Sequence, residues 1–313
     1  MAERSRWHPA AVAEWALVAA LIRLFATLPE GLAYGLAEAA GRLAYRLDAR
    51  HRRITQDNLA KAFPGALSGA GLERMAQAVF EGLGRTAADV ARSDRLRDAP
   101  ADACRIEGLE RLQAARSRGR GVLLLTAHFG PWELLPLIAS LRYEPIHVVA
   151  RPLDNPRLDD LLTRLRERGG NRVIRKRDAL QAILKALRRG ETVGMLIDQH
   201  IAEREGVVVP FFGRPASTVF APALLALRSG AAILPVVIYR EGRGRFCIRL
   251  GEEIPLLRTG DLRTDLVRNT ARFNLAIEDF IRARPDHWFW VHRRWKTNHP
   301  LDKSMENWLV TLQ

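Results

Sequence analysis

From Gly121 onward the sequence alternates short apolar runs with amphipathic segments, and this alternation restricts the available folds more than any other feature of the chain. Residues 122–127 are followed by 131–141, 147–150 by 156–168, and Val173 by 179–189. The pattern continues through 192–197, the helix-like 219–228, 233–239 and 246–250, and a long helical period over 262–283 closes it. Runs of four to six apolar residues have the length of buried strands, and the intervening segments carry the three- and four-residue steps of helices. Strands alternating with helices imply a largely parallel or mixed sheet covered by helices, an α/β fold. The first hundred residues read differently, as helices over 31–47, 53–63 and 72–91 punctuated by Pro64 and Gly65. No fixed-period repeat or low-complexity stretch points to a solenoid or a linker.

Composition narrows the function classes. With 48% hydrophobic and 27% charged residues the chain can bury a core, which excludes a disordered or collagen-like protein. Its 49 Lys and Arg against 35 Asp and Glu leave a net charge of +14, which attracts nucleic acid, an anionic bilayer, a phosphorylated substrate or an acidic carrier alike. A bias towards Arg accounts for part of that excess without any partner. The two cysteines, Cys104 and Cys247, stand far apart with no CxxC or Cys/His ladder, so inert thiols in a reducing cytoplasm are expected, and neither a disulfide framework nor a zinc site.

Residues 10–29 are apolar apart from Glu14 and Arg23, and no secretory cleavage site closes them. Three readings fit: a weak transmembrane anchor, an amphipathic helix in the interface, or a core helix. Trp7 and Trp15 with Arg4 and Arg6 have the character of interfacial anchors, whereas basic residues on both sides leave the orientation open.

In open α/β sheets ligands bind beyond the C-terminal ends of the strands, so polar residues at those turns are the ones to interrogate. After the run 122–125 comes Thr126-Ala127-His128-Phe129-Gly130-Pro131-Trp132-Glu133. A five-residue spacing brings His128 and Glu133 together only if the chain bends, and Gly130 and Pro131 supply a turn and a helix start. Glu133 would then accept a hydrogen bond from one ring nitrogen of His128, leaving the other to take a proton. No Ser sits in a G-x-S-x-G elbow and neither Cys lies in a nucleophile motif, so the nucleophile would come from the substrate: an alcohol attacking an activated acyl carbon, without an acyl-enzyme. The bland alternative is a structural His128 with a surface Glu133.

Six segments in order, spread over most of the chain, resemble the bacterial lipid A biosynthesis (late) acyltransferases and related enzymes acting on other glycolipids. They are Asn58-Leu59 with Ala62-Phe63-Pro64; the box from His128 to Glu133; Ala150-Arg151-Pro152 with Asp154-Asn155-Pro156; Asp198-Gln199; Pro210 to Ala216; and Trp288 to Lys296. The family's box usually carries Asn where Pro131 stands. The resemblance implies a glycerolipid-acyltransferase-like fold organised as a membrane-anchor helix over 1–30, a helical region over 31–100 packed on the catalytic domain, an α/β acyltransferase domain over 101–300 and a tail over 301–313. It also implies a place on the bacterial inner membrane with the catalytic domain cytoplasmic, an acyl donor on acyl carrier protein or coenzyme A, and a lipid A precursor as the hydroxyl acceptor. His128 becomes the general base and Glu133 its orienting partner, with Arg151 and Asp198 around the site.

Chemistry suggests what these and two further residues can do. Arg151 can hold a phosphate or offset an oxyanion, or simply pair with Asp154 or Asp198 at the surface. Asp198 can hold Arg151 or a substrate hydroxyl. Phe212 and Arg214, either side of a Gly213 turn, can line an acyl channel and grip a head group, or equally form a strand end in the core with an exposed Arg. Trp288, Trp290 and Trp295, interleaved with His292, Arg293, Arg294 and Lys296, read as an interfacial belt, and the same mixture can stack nucleotides. No cofactor or metal is expected and no nucleic acid partner, the partners being the glycolipid, the acyl donor and an anionic membrane. Two alternatives stand beside this: an acyltransferase for another glycolipid such as a phosphatidylinositol mannoside, and a non-catalytic basic protein that binds membranes or nucleic acid.

Overall fold

A computed structural model describes residues 7–175, 179–302 and 305. Arg4 and Arg6 and most of the 301–313 tail lie outside the described residues. Four helices come first: α1 (Pro9–Thr27), α2 (Glu30–Leu47), α3 (Ala49–Ala62) and α4 (Gly69–Ala91). The α/β part follows as β1 (Cys104–Glu107), α5 (Leu109–Ser117), β2 (Val122–Thr126), α6 (Leu135–Arg142), β3 (His147–Ala150), α7 (Pro156–Arg166), β4 (Arg172–Arg175), α8 (Ala179–Arg188) and β5 (Thr192–Leu196). After these come β6 (Gly206–Phe211), β7 (Arg214–Val219), α9 (Ala221–Ser229), β8 (Ala232–Gly242), β9 (Arg245–Leu250) and α10 (Leu262–Ala283).

Seven strands form one mixed sheet in the order β1-β9-β8-β2-β5-β3-β4, flanked by helices, and the expected α/β class is what the chain adopts. Every pairing is parallel except β8 with β9, which are joined by a short turn and run antiparallel. β2 lies at the centre and is buried on both faces, which explains why its sequence is a continuous apolar run instead of an alternating one. Leu123, Leu125 and Ala127 enter the core shared with α8, α9 and α10, whereas Val122 and Leu124 enter the one shared with α5 and α6.

β6 and β7 form a separate antiparallel hairpin. Its two-residue turn places Phe212 at φ 50° and Gly213 at φ 69°, the left-handed pair that suits the twist of a tight hairpin. A phenylalanine is strained there, and burial of its ring offsets the strain: Phe212 packs against Phe63, Phe211, Trp290 and Trp295. The same aromatic cluster joins the start of the chain to its end. Asn58 on α3 is buried and donates to the carbonyls of Trp290 and His292, at 2.7 Å each, and Phe63 packs on the ring of Trp290.

That packing corrects the reading of the terminal tryptophans. Trp288 and Trp290 are core residues, at 2% and 0% exposure, and present no belt to a membrane or a nucleotide. Arg294 is fully buried too, its charge held against the Ser217 carbonyl and the Thr218 hydroxyl and over the ring of Phe211.

Candidate active site

β2 and β5 are parallel neighbours paired through Thr126↔Leu196, and the ladder continues where the Ile197 amide donates to the Thr126 carbonyl. Two residues beyond each end of that register stand His128 and Asp198. Their meeting is therefore a property of the sheet, at the strand ends where α/β folds place their chemistry.

The carboxylate of Asp198 is buried and accepts three hydrogen bonds. The ring Nδ1 of His128 donates to Oδ1 at 2.8 Å, the backbone N–H of His128 to Oδ2 at 2.9 Å, and the indole N–H of Trp288 to Oδ2 at 2.7 Å. With Nδ1 engaged, the lone pair of His128 lies on Nε2, where the side-chain nitrogen of Gln199 approaches to 3.3 Å. Trp132 and Phe289 flank the ring, their centroids 5.3 and 5.9 Å away, and the His128 side chain keeps 19% of its surface accessible. An imidazole with Nδ1 fixed by a buried carboxylate and Nε2 facing Gln199 results.

Electrostatics favour the charged form of this imidazole. Burial is the strongest single influence and pulls its pKa down, but the charge and hydrogen bond of Asp198, with the charge of Glu133, outweigh burial and hold it above the ordinary histidine value. Burial likewise raises Asp198, yet His128 and the donated hydrogen bonds from its ring, its amide and Trp288 bring the carboxyl below the usual aspartate range.

Glu133 is where the sequence-based geometry needs correcting. The bend forms as expected: Gly130 has φ 56°, and a Cβ there would meet the Ile238 carbonyl at 2.4 Å, so only glycine fits. Beyond it, residues 132–134 make a single 3-10 turn leading into α6. Glu133 does not reach the ring of His128. It forms a bidentate pair with Arg166 of α7, at 2.6 and 2.8 Å, and accepts from the Trp132 indole at 3.2 Å. It acts on His128 through charge alone. A carboxylate so near a buried guanidinium takes the forked partner, and Asp198 already holds the only ring nitrogen on offer for an acceptor.

The other expected site residues divide. Asp198 is at the centre of the site, bound to His128 instead of Arg151. Arg151 follows β3 on the same sheet edge, but its side chain is 74% exposed and stands 3.7 Å from Asp154, the surface ion pair that was the alternative reading. Phe212 is in the aromatic core, and Arg214 is exposed, donating to the Lys61 carbonyl at 3.2 Å, again the alternative reading. Among the described residues no group of three or more His, Cys, Asp or Glu side chains is assembled that could hold a metal. Sequence reasoning missed Arg166, one of several arginines in and beside α7 that nothing local distinguishes, and the indole of Trp288 as a ligand of Asp198. It also missed His292, whose Nε2 accepts from the His200 amide at 2.9 Å. Burial depresses the His292 pKa to about 4, so the ring stays a neutral acceptor bracing the loop that carries Asp198.

Comparison with known proteins identifies the family. The model of the bacterial lipid A biosynthesis acyltransferase family matches residues 2–297. The chain is 31% identical over 296 residues to the lipid A biosynthesis lauroyltransferase of Escherichia coli, covering 93% of each. It is 31% identical over 204 residues to the palmitoleoyltransferase of the same organism, covering 64% of this chain and 63% of that one. A phosphatidylinositol mannoside acyltransferase of Mycobacterium tuberculosis is 32% identical over 143 residues, 44% of this chain and 45% of that protein.

Proposed function

Because this chain belongs to the bacterial lipid A biosynthesis acyltransferase family, and is therefore an acyltransferase acting on a glycolipid, we propose that it moves a fatty acyl group from a thioester onto a hydroxyl of a lipid A precursor with His128 as general base. The observation that carries this is the 2.8 Å hydrogen bond from Nδ1 of His128 to the buried Asp198, which leaves Nε2 as the acceptor. The acceptor hydroxyl gives its proton to Nε2 as its oxygen attacks the thioester carbonyl, and Asp198 stabilises the imidazolium. When the tetrahedral intermediate collapses, the carbon–sulfur bond breaks and the departing thiolate takes the proton back from Nε2. No acyl-enzyme forms. Gln199 stands where the hydroxyl must approach; swung aside, its amide can donate to the oxyanion.

Acyl carrier protein or coenzyme A delivers the chain in this reading, and the enzyme works at the bacterial inner membrane with its α/β domain on the cytoplasmic side. Glu133 supplies negative charge beside the base, partly offset by Arg166, and their ion pair makes a rigid wall in place of a direct hydrogen bond. Measurement of thiol release from an acyl donor in the presence of acceptor lipid tests the proposal. His128→Ala should lower the rate by at least about a hundredfold with the fold intact. A folded variant with near-normal turnover would sink the assignment.

The mycobacterial relatives favour a second acceptor, a phosphatidylinositol mannoside, since the same base would serve either hydroxyl. Mass spectrometry of the host's lipids after deletion separates the two: lipid A lacking one secondary acyl chain supports the first reading, and an underacylated mannoside the second. The alternative of a non-catalytic basic protein gives way to the family membership.

A further inference from the structure

We propose that α1 does not cross the bilayer but lies flat on it beside α2, so that the two helices form one leucine-surfaced face on which the enzyme rests. This rests on the reading of the chain as membrane-associated and goes beyond it. By composition α1 could span: it has 19 residues and a mean hydropathy of 1.7, and 6% of its apolar window is buried. At 1.5 Å per residue it is about 28 Å long, close to the thickness of the hydrocarbon core.

The body of the protein holds α1 at both ends. Near its start the buried Asn155, which caps α7, donates to the Ala11 carbonyl at 3.0 Å and to Glu14 at 2.9 Å. Arg157 lies over the rings of Trp7 and Trp15, at 4.8 and 5.3 Å. Near its end Arg92 donates to the carbonyls of Phe25 and Leu28, at 3.0 and 2.7 Å, and Arg95 to that of Ala26 at 3.0 Å. A crossing helix would place these two clasps on opposite sides of the membrane. Either α4 or α7 would then have to pass through with it, and α1 is the only described helix long and apolar enough to do so. A charged or polar clasp in hydrocarbon is costly, and two clasps only about 20 Å apart along a crossing helix cannot both avoid a core about 30 Å thick unless the helix lies in the plane.

The outward surface of the pair is built for that position. On α1, Leu17, Leu21 and Leu24 lie on one side, 62%, 44% and 48% exposed. α2 has two apolar faces. One, with Ala33, Tyr34, Ala37 and Gly41, is buried, and Gly41 lies against the backbone of α4. The other carries Leu32, Leu36, Leu43 and Leu47 within one 60° sector of the helix wheel, all at least 50% exposed. Glu38, Arg42 and Arg46 occupy the flank between the faces, and exposed Arg46, Arg50 and Arg53 end the stripe with positive charge suited to anionic head groups. Such a surface fits a lipid interface.

Both supports of α1 reach the site. α7 carries Arg166, which grips Glu133 beside His128, and Thr86 of α4 donates to the Gly130 carbonyl at 3.4 Å. Resting on α1 and α2 therefore fixes the height of the catalytic turn above the bilayer that holds its acceptor.

Impermeant maleimide labelling of the full-length protein in sealed inverted inner-membrane vesicles tests this, using His8→Cys and Glu30→Cys at the two ends of α1. The native Cys104 and Cys247 are buried and give a low background. Both new thiols should label from outside the vesicles. If labelling of either end requires opening them with detergent, the flat arrangement is wrong. A second arm replaces Leu32, Leu36 and Leu43 with Glu. It should reduce partitioning onto phosphatidylglycerol/phosphatidylethanolamine vesicles on the order of tenfold or more, without changing the melting temperature or thiol release from detergent-dispersed substrates. Unchanged partitioning would remove α2 from the face. If the parent protein released no thiol, the acyl-transfer reading would fail while both of these readouts stayed interpretable.

Discussion

At the scale of single residues, the chemistry turns on which carboxylate owns the imidazole. Asp198 raises the His128 pKa by charge and by hydrogen bond, Glu133 by charge only. Since a general base works in its neutral form, kcat should rise with pH along an acid limb whose midpoint lies above the ordinary histidine value of about 6.5. Asp198→Asn removes the larger raising influence. The limb should move to lower pH, and the plateau should fall because the base is weaker and its tautomer no longer enforced. Glu133→Gln should shift the same limb by less. Profiles of kcat for the three proteins measure this directly, and a larger shift from Glu133→Gln would return the orienting role to that residue. The position of His128, past the end of β2 and before the bend at Gly130, was legible from the strand-turn-helix grammar there. Its partner was not, because local spacing can only pair residues a few positions apart, whereas Asp198 reaches the ring through a register that matches Thr126 to Leu196 across 70 residues of chain.

At the scale of elements, what the sequence disclosed depended on how each segment is buried. β2, β5 and β8 lie in the middle of the sheet and read as apolar runs, and α2, α4 and α10 read by their helical periods. β1 escaped notice because it lies at a sheet edge and contains Arg105 and Glu107 in four residues. The β6–β7 hairpin escaped because Pro210 and Pro215 sit opposite each other in its ladder, where neither can donate, a pairing that a ribbon outside the main sheet tolerates. The tryptophans near the C-terminus misled for a different reason: alternating aromatic and basic residues look interfacial unless the basic member, here Arg294, is known to be buried with its charge satisfied. Tight packing of α2 on α4 was invisible as well, and it makes a prediction. A Cβ on Gly84 would stand 2.1 Å from the Ala37 carbonyl, backbone that cannot step aside, so the helices must separate. Gly84→Ala should cost about 1–3 kcal/mol despite its better helix propensity, seen as a lowered melting temperature, whereas Gly71→Ala on the same helix, with open space around it, should not destabilise.

At the scale of the whole molecule, the charge of +14 and the buried dyad answer to different variables. Exposed arginines act through solvent, where the screening length is about 10 Å at 0.1 M salt, while His128, Asp198 and Trp288 interact at hydrogen-bonding distance behind protein. Salt should therefore separate delivery of the donor from the chemistry. With an acyl carrier protein, itself acidic, kcat/KM should fall roughly tenfold or more between about 0.05 and 0.5 M salt, because steered encounter depends on many exposed charges at once. With acyl coenzyme A, which presents only a few phosphates, the fall should be shallower. The midpoint of the acid limb in kcat should stay where it is, since no mobile ion comes between Nδ1 and Asp198. Should that midpoint move with salt as far as kcat/KM does, the base being titrated would have to be a solvent-exposed group, and the pair formed at the ends of β2 and β5 would not be the one that takes the proton.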